Sequence, residues 1–409
     1  MAKAGFSHIL LALKHRDFRI FMIGHLFSHT GMWMFRIAIG WVTWELTHSA
    51  TWLGLIGAAD MSSTLLIGPL MGALADRVDR LTIIRITQAI TTLFAFLTFL
   101  LVYNGLATPE LLFVLVLFFG ISMSANLPAR LAIVPNLIDP ENLPAGIAIN
   151  SLVSNAGRFL GPALGGFLIH FWGAGEAIAC CALFLGLPVF TLWLIREPRN
   201  EIKKSGKPLM GDAVDGIKYS MRHAGIGPVM FAMISTSVFG KTLVYLFPAF
   251  ATAVFDRGAD GLAWLTGTVG AGAVLGGVYM ARRVGRQGLS RMFVISIAVV
   301  GVTMLAFAGN TQFWPAVLIA ACLGAAILVN GVAAQTLIQH AVDGAMRGRV
   351  NSLYAMIQRG GQSLGSLILG VSADLLGLRW SVAAAGIVCL LFWVWSVRRL
   401  KTMSALLES

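Results

Sequence analysis

The sequence predicts an all-α polytopic membrane protein, with twelve transmembrane helices in two six-helix halves that are parallel repeats. Three observations predict it. Of 409 residues, 57% are hydrophobic and 12% are charged, too little polar surface to cover a soluble chain of that size. Apolar runs near the ~20 residues that a span requires recur along most of the chain. Residues of the first half also return in the same order in the second.

The runs place the first six spans at 18–44, 50–75, 82–103, 110–135, 145–171 and 176–195. The second six are placed at 228–254, 261–281, 291–308, 313–340, 350–376 and 381–397. This divides the chain into a first half, 1–196, a cytoplasmic linker, 197–227, and a second half, 228–409. Within the linker, Val214, Ile217 and Met221 fall three and four apart. That spacing predicts either a short amphipathic helix on the membrane surface or a solvated linker with some helix.

The net charge is +12, and its distribution sets topology. Lys14, Arg16 and Arg19 precede span 1, Arg77, Arg80 and Arg85 follow span 2, and Arg398, Arg399 and Lys401 close the chain. The loops predicted on the opposite side hold only Arg257 and Arg379. This positive-inside bias puts both termini in the cytoplasm. Basic residues there meet membrane lipids as partners. No exposed basic run is interleaved with stacking aromatics, so nucleic acid is not a predicted partner. The 4 cysteines, Cys180, Cys181, Cys322 and Cys389, lie in apolar runs without metal-ligand spacing. No disulfide framework, metal site or cofactor is predicted. No cleaved leader is predicted either.

The repeats are specific. Asn150-Ser151-Leu152 followed by Arg158 returns as Asn351-Ser352-Leu353 followed by Arg359. Asn126 and Asp139 match Asn330 and Asp343, and the basic loop after span 2 is echoed after span 8. Offsets near half the chain length imply homologous halves related by an axis along the membrane normal.

The loop Gly72-Ala73-Leu74-Ala75-Asp76-Arg77-Val78-Asp79-Arg80 resembles the signature loop of the major facilitator superfamily, with Asp79 in place of a usual Gly. An Asp followed by Arg on a tight turn can pair with a helix terminus in one conformation and release it in another. Gly157, Gly161-Pro162 and Gly165-Gly166 resemble the superfamily's antiporter motif. Small residues four apart let helices approach, and Pro bends the helix; ordinary small-residue packing is the alternative. Asp17-Phe18-Arg19, Pro128-Ala129-Arg130 and Asp215-Gly216-Ile217-Lys218-Tyr219 are similar to the branch of enterobactin-exporter-like and macrolide-efflux-like drug and siderophore exporters. Many members of that branch have an acid near Gly31, which Gly31-Met32-Trp33 lacks. The resemblance implies a proton-coupled secondary transporter, monomeric, in the inner membrane of a bacterium. It would export a small molecule by rocking the two halves in alternating access.

Ionisable residues within spans are costly and are functional candidates. From the rise per residue, Arg36 and Asp60 lie ~27 and ~24 Å from the cytoplasmic ends of their helices, and Arg158, Lys241 and Arg359 at roughly 16–20 Å. Arg158, Lys241 and Arg359 are the candidate contacts for an anionic or carboxylate-bearing solute, with Trp33, Asn155 and Gln362 beside them. The alternative for the two arginines is bonding to carbonyls at helix breaks, and for Trp33 it is core packing. Asp60 is the leading proton carrier unless an ion pair with Arg36 fixes its charge. His29 and His25 are held in reserve, since imidazole titrates near neutral pH.

The predicted function is therefore export of a small amphipathic, anionic solute. A non-transporting receptor or assembly factor retaining the fold is the alternative. No phosphate-cradling G-x4-G-K-[ST] loop and no H-E-x-x-H or G-x-S-x-G sequence is present, so neither ATP-driven transport nor an enzyme is predicted.

Overall fold

The computed structural model describes residues 11–75, 78–196, 209–283, 287–343 and 346–408. Among them the regular structure is helical, with no strand. The first six long helices are α1 (Arg16–Thr47), α2 (Ala50–Ala75), α3 (Arg80–Tyr103), α4 (Pro109–Ile133), α5 (Leu143–Trp172) and α6 (Ala174–Trp193). A short helix, α7 (Leu209–Arg222), falls in the linker. The second set is α8 (Ile226–Val254), α9 (Gly258–Ala281), α10 (Leu289–Gly309), α11 (Phe313–Ala341), α12 (Arg347–Leu376) and α13 (Leu378–Leu407). Each set follows the order of the predicted spans. Among the described residues, 8 helices are long and apolar enough to cross a membrane by length and composition.

Local chemistry explains the helix ends. Thr108 caps α4 through a hydroxyl that accepts from Leu111 N at 3.3 Å, with Pro109 next to it. Asp79, where the related loop carries Gly, caps α3: its Oδ2 accepts from Thr82 N at 2.8 Å. Gly173 ends α5 at φ +101°, and Gly377 ends α12 at φ +90°. Glycine adopts this left-handed region readily, so the same turn joins the last two helices of each half.

The repeat extends to side-chain bonds. In the first half, Asn126 on α4 donates to Thr87 Oγ1 on α3 at 2.7 Å and to Ile84 O at 3.4 Å. In the second, Asn330 on α11 donates to Ser296 Oγ on α10 at 2.9 Å and to Phe293 O at 3.5 Å. Both amides are buried, and each ties two apolar helices together where an unpaired polar group would be expensive.

Two elements depart from the sequence reading. Span 7 is not one regular helix: α8 passes through a π segment at Thr236–Gly240, a 3-10 segment at Thr242–Leu246 and a second π segment at Phe250–Val254. Span 12, predicted to stop at 397, continues as helix to Leu407. The following Glu408 explains the extension. Its carboxylate accepts from Gly288 N at 2.6 Å and Ser290 N at 2.7 Å, capping the start of α10.

The chain folds as two compact units, Met1–Val42 with Leu66–Lys207, and Thr43–Leu65 with Pro208–Ser409. The first part of α2 thus groups with helices of the second half. One core of the first unit gathers Phe18, Phe21, Leu81, Ile84, Ile133 and Leu192. One core of the second gathers Met233, Phe293, Ile297, Ala334 and Leu337.

Candidate functional site

In the first unit the small residues of α5 set the site by setting a helix contact. A Cβ placed on Gly157 would stand 3.0 Å from His29 Cβ, and one on Gly161 would stand 2.5 Å from Trp33 Cβ and 2.7 Å from Thr30 O. One on Gly165 would stand 3.3 Å from Met34 Cα. Gly157, Gly161, Pro162, Gly165 and Gly166 are all buried. The motif therefore seats the backbone of α1 directly on α5.

That seating brings polar groups together. His25, His29, Trp33 and Arg36 follow at spacings of three and four, one face of α1. The Arg36 guanidinium carbon lies 4.7 Å from the Trp33 ring centroid, and that of Arg158, from α5, lies 5.5 Å from it. Two guanidinium groups thus attend one indole, each within cation–π range. The indole Nε1 is buried and has no hydrogen-bond acceptor among the described residues. Asn155, one turn before Arg158, is exposed and donates to Ser151 O of its own helix at 2.9 Å.

His25 has a different setting. Arg130 Nη1 lies 2.5 Å from His25 Nδ1, so Nδ1 accepts and Nε2 carries the hydrogen toward Ser154 Oγ at 2.9 Å. Ser154 in turn donates to Asn150 O at 2.9 Å. Arg130 Nη2 donates to Ser28 Oγ at 3.4 Å, and Ser28 donates to Gln88 Oε1 at 3.0 Å. Both ring nitrogens of His25 are engaged. Arg130 is a buried cation that the sequence reading assigned only to the end of a span. Its signal was its place in a Pro-Ala-Arg run that bears on family resemblance.

In the second unit the interruption of α8 falls at Lys241. Its Nζ donates to Gln358 Oε1 on α12, which also accepts from Ser237 Oγ at 3.3 Å. Gln358 Nε2 reaches Tyr354 OH at 3.1 Å, and that hydroxyl donates to Gly331 O at 3.1 Å. The irregular backbone fits against glycines: a Cβ on Gly361 would stand 2.9 Å from Ser237 Cβ, and one on Gly365 would overlap Val238 O. Such π segments often mark functional positions. Arg359 adjoins Gln358, and Gln362 lies one turn further; both are half-buried. Gln358 had no signal of its own beyond standing next to Arg359.

Asp60 is buried on α2, 6% exposed, and belongs to the second unit, whereas Arg36 belongs to the first. Of the signature loop, Arg80 Nη1 donates to Ala132 O at 2.8 Å, satisfying a carbonyl at the end of α4. Asp76 and Arg77 lie outside the described residues, and Gly72 is described only as helical backbone.

Comparison with known proteins places this arrangement in context. The profile of a family described as transmembrane secretion effector matches residues 8–407. The staphyloferrin A transporter of Staphylococcus aureus (strain NCTC 8325 / PS 47) is 22% identical over 375 residues, covering 90% of this chain and 93% of its own. The enterobactin exporter EntS of Shigella boydii serotype 4 (strain Sb227) is 24% identical over 398 residues, covering 95% and 92%. Among solved structures, the nucleoside transporter NupG superposes with a TM-score of 0.69 at 16% identity, over 96% of this chain and 100% of that one. A bacterial homolog of the human lysosomal transporter Spinster, inward-facing and unoccupied, also gives 0.69, at 17% identity over 97% and 98%. At these identities the two structures establish the fold.

Proposed function

We propose that this chain, which belongs to the transmembrane secretion effector family of the major facilitator superfamily, is a proton-coupled exporter of a small, anionic, amphipathic solute. It is a multi-pass membrane transporter of small molecules and not an enzyme. We further propose that it is a monomer in the cytoplasmic membrane of a bacterium, with both termini in the cytoplasm. The basic loops on one side of the predicted spans support that orientation.

One observation carries the solute class: the pair of guanidinium groups, Arg36 and Arg158, both within cation–π range of the Trp33 indole. Guanidinium forks suit carboxylate and other planar oxyanions, and an indole face suits a flat or apolar body next to the charge. Within the second unit, Lys241 and Arg359 are the candidate contacts for an anion. The names of the two relatives point to siderophores, and an oxygen-rich iron chelator has the required combination of anionic oxygens and carbon skeleton. Asp60 is assigned the proton. His29, on the Trp33 face, is its reserve; His25, engaged at both nitrogens by Arg130 and Ser154, is the least suited of the three.

Uptake of radiolabelled solutes into inside-out vesicles tests the class. Iron-free catecholate and hydroxycarboxylate chelators should accumulate in competition with one another. A clear preference for cationic drugs over these anions would overturn the reading.

A further inference from the structure

We propose that Asp374 is the outer latch of the transport cycle, holding α2 against α12 until the outer side opens. Asp374 stands near the end of α12, and its carboxylate lies at the first turn of α2. Oδ1 accepts from Ala50 N at 2.8 Å, and Oδ2 accepts from Thr51 N at 2.9 Å and from Ser49 Oγ at 2.6 Å. The first amides of a helix have no partner within it, and its positive end attracts an anion. Here the cap comes from a different helix, 324 residues along the chain from Ala50. Glu408, at the end of α13, makes the same kind of cap on the start of α10, 120 residues away from Gly288.

Below the carboxylate the two helices meet backbone to backbone. A Cβ on Gly370 would stand 2.5 Å from Ala50 O and 2.9 Å from Gly54 Cα, and one on Gly57 would stand 3.1 Å from Ser366 Cβ. Ser363 Oγ donates to Ala58 O at 3.2 Å. Asp374, Gly370, Ser366 and Ser363 form one stripe of α12; Ala50, Gly54, Gly57 and Ala58 face it from α2. A seam of small residues offers little apolar area to hold it shut. Parting it costs chiefly the three bonds to Asp374, which are charge-assisted and reachable by water, so the contact suits repeated opening better than permanent structure. By sequence α2 belongs to the first repeat, yet residues up to Leu65 group with the second unit. The seam is thus the contact that an exchange of α2 between the repeats must break. Which side of the membrane it faces rests on the orientation proposed above.

The test uses the full-length protein with its 4 native cysteines replaced and Ser366→Cys added as a probe within the seam. A membrane-impermeant maleimide applied outside intact cells reads opening by labelling rate. Asp374→Asn should raise the rate roughly tenfold, the change that ~1.4 kcal/mol produces. An Ala316→Cys probe, in the core near the outer end of α11, should stay unlabelled in the same background. A disulfide between Ser49→Cys and Asp374→Cys should reduce Ser366→Cys labelling to background, with recovery on reduction. An unchanged rate in Asp374→Asn would overturn the latch, as would faster labelling at both probes, which reports loosening of the whole unit. Labelling that continues with the disulfide closed would also overturn it. Faster labelling only from the cytoplasmic side would overturn the placement on the outer side.

Discussion

Substituting Gly161 by Ala should separate two helices that the site needs in contact. The new Cβ would stand 2.5 Å from Trp33 Cβ, 2.7 Å from Thr30 O and 3.0 Å from Met34 N. Ordinary carbon–carbon contact is about 3.5–4.0 Å, so α1 must withdraw by roughly 1 Å. Two of the three neighbours are backbone atoms, which cannot rotate away. Overpacking of this kind costs up to ~3 kcal/mol, while Ala in a helix recovers ~1 kcal/mol relative to Gly. The net loss is about 2 kcal/mol. It is measured as a lower midpoint of thermal unfolding in detergent, followed by tryptophan fluorescence. Withdrawal also moves Trp33 away from Arg158, so solute binding should weaken with stability. Gly267→Ala supplies the control, because nothing lies within 4 Å of its new Cβ; its midpoint should hold or rise. If Gly161→Ala has the midpoint and affinity of the parent, the α5 motif does not position α1 and the reasoning fails.

Three more outcomes follow from named contacts. Arg36→Gln and Arg158→Gln should each weaken solute affinity about 10- to 100-fold, the ~1.5–3 kcal/mol of a hydrogen bond to a charged group; equilibrium binding checks it, and Arg158→Lys should rescue only partly. Asn126→Ala and Asn330→Ala should each destabilise the protein by about 1–3 kcal/mol, more at Asn330, whose Oδ1 also accepts from Thr236 Oγ1 at 2.8 Å; an equal or larger loss at Asn126 in unfolding would show that this third bond adds nothing. Asp79→Ala should cost ~1 kcal/mol through loss of the α3 cap, and Asp79→Gly a few tenths, read as the shift in unfolding midpoint.

The long apolar runs were legible because a span must satisfy its backbone within itself, leaving helix as the solution for each run. The repeat was legible because the same residue types return in order, and Asn126 and Asn330 each donate to a hydroxyl and a carbonyl of the preceding helix. The glycines of α5 were legible as a pattern, and the structure supplies their partner, the α1 backbone. What the sequence withheld depends on distance along the chain. Asp374 reads as a charge near a span end, since Ala50 and Thr51 lie far away in sequence. Arg130 reads as a boundary arginine until His25 and Ser28 are placed beside it. Gly240 and Pro248 mark α8 as breakable, but the glycines of α12 that fit against Ser237 and Val238 O lie far away in sequence. Lys241, without an evident neighbour in sequence, meets Gln358 for the same reason.

Coupling is tested most directly by recording proton movement during solute flux in proteoliposomes, with a pH dye trapped inside and an iron-free chelator supplied on one side. Protons should move opposite to the solute, and that movement should be lost in Asp60→Asn protein that still folds and binds. Solute flux of undiminished rate with no accompanying proton movement would contradict it.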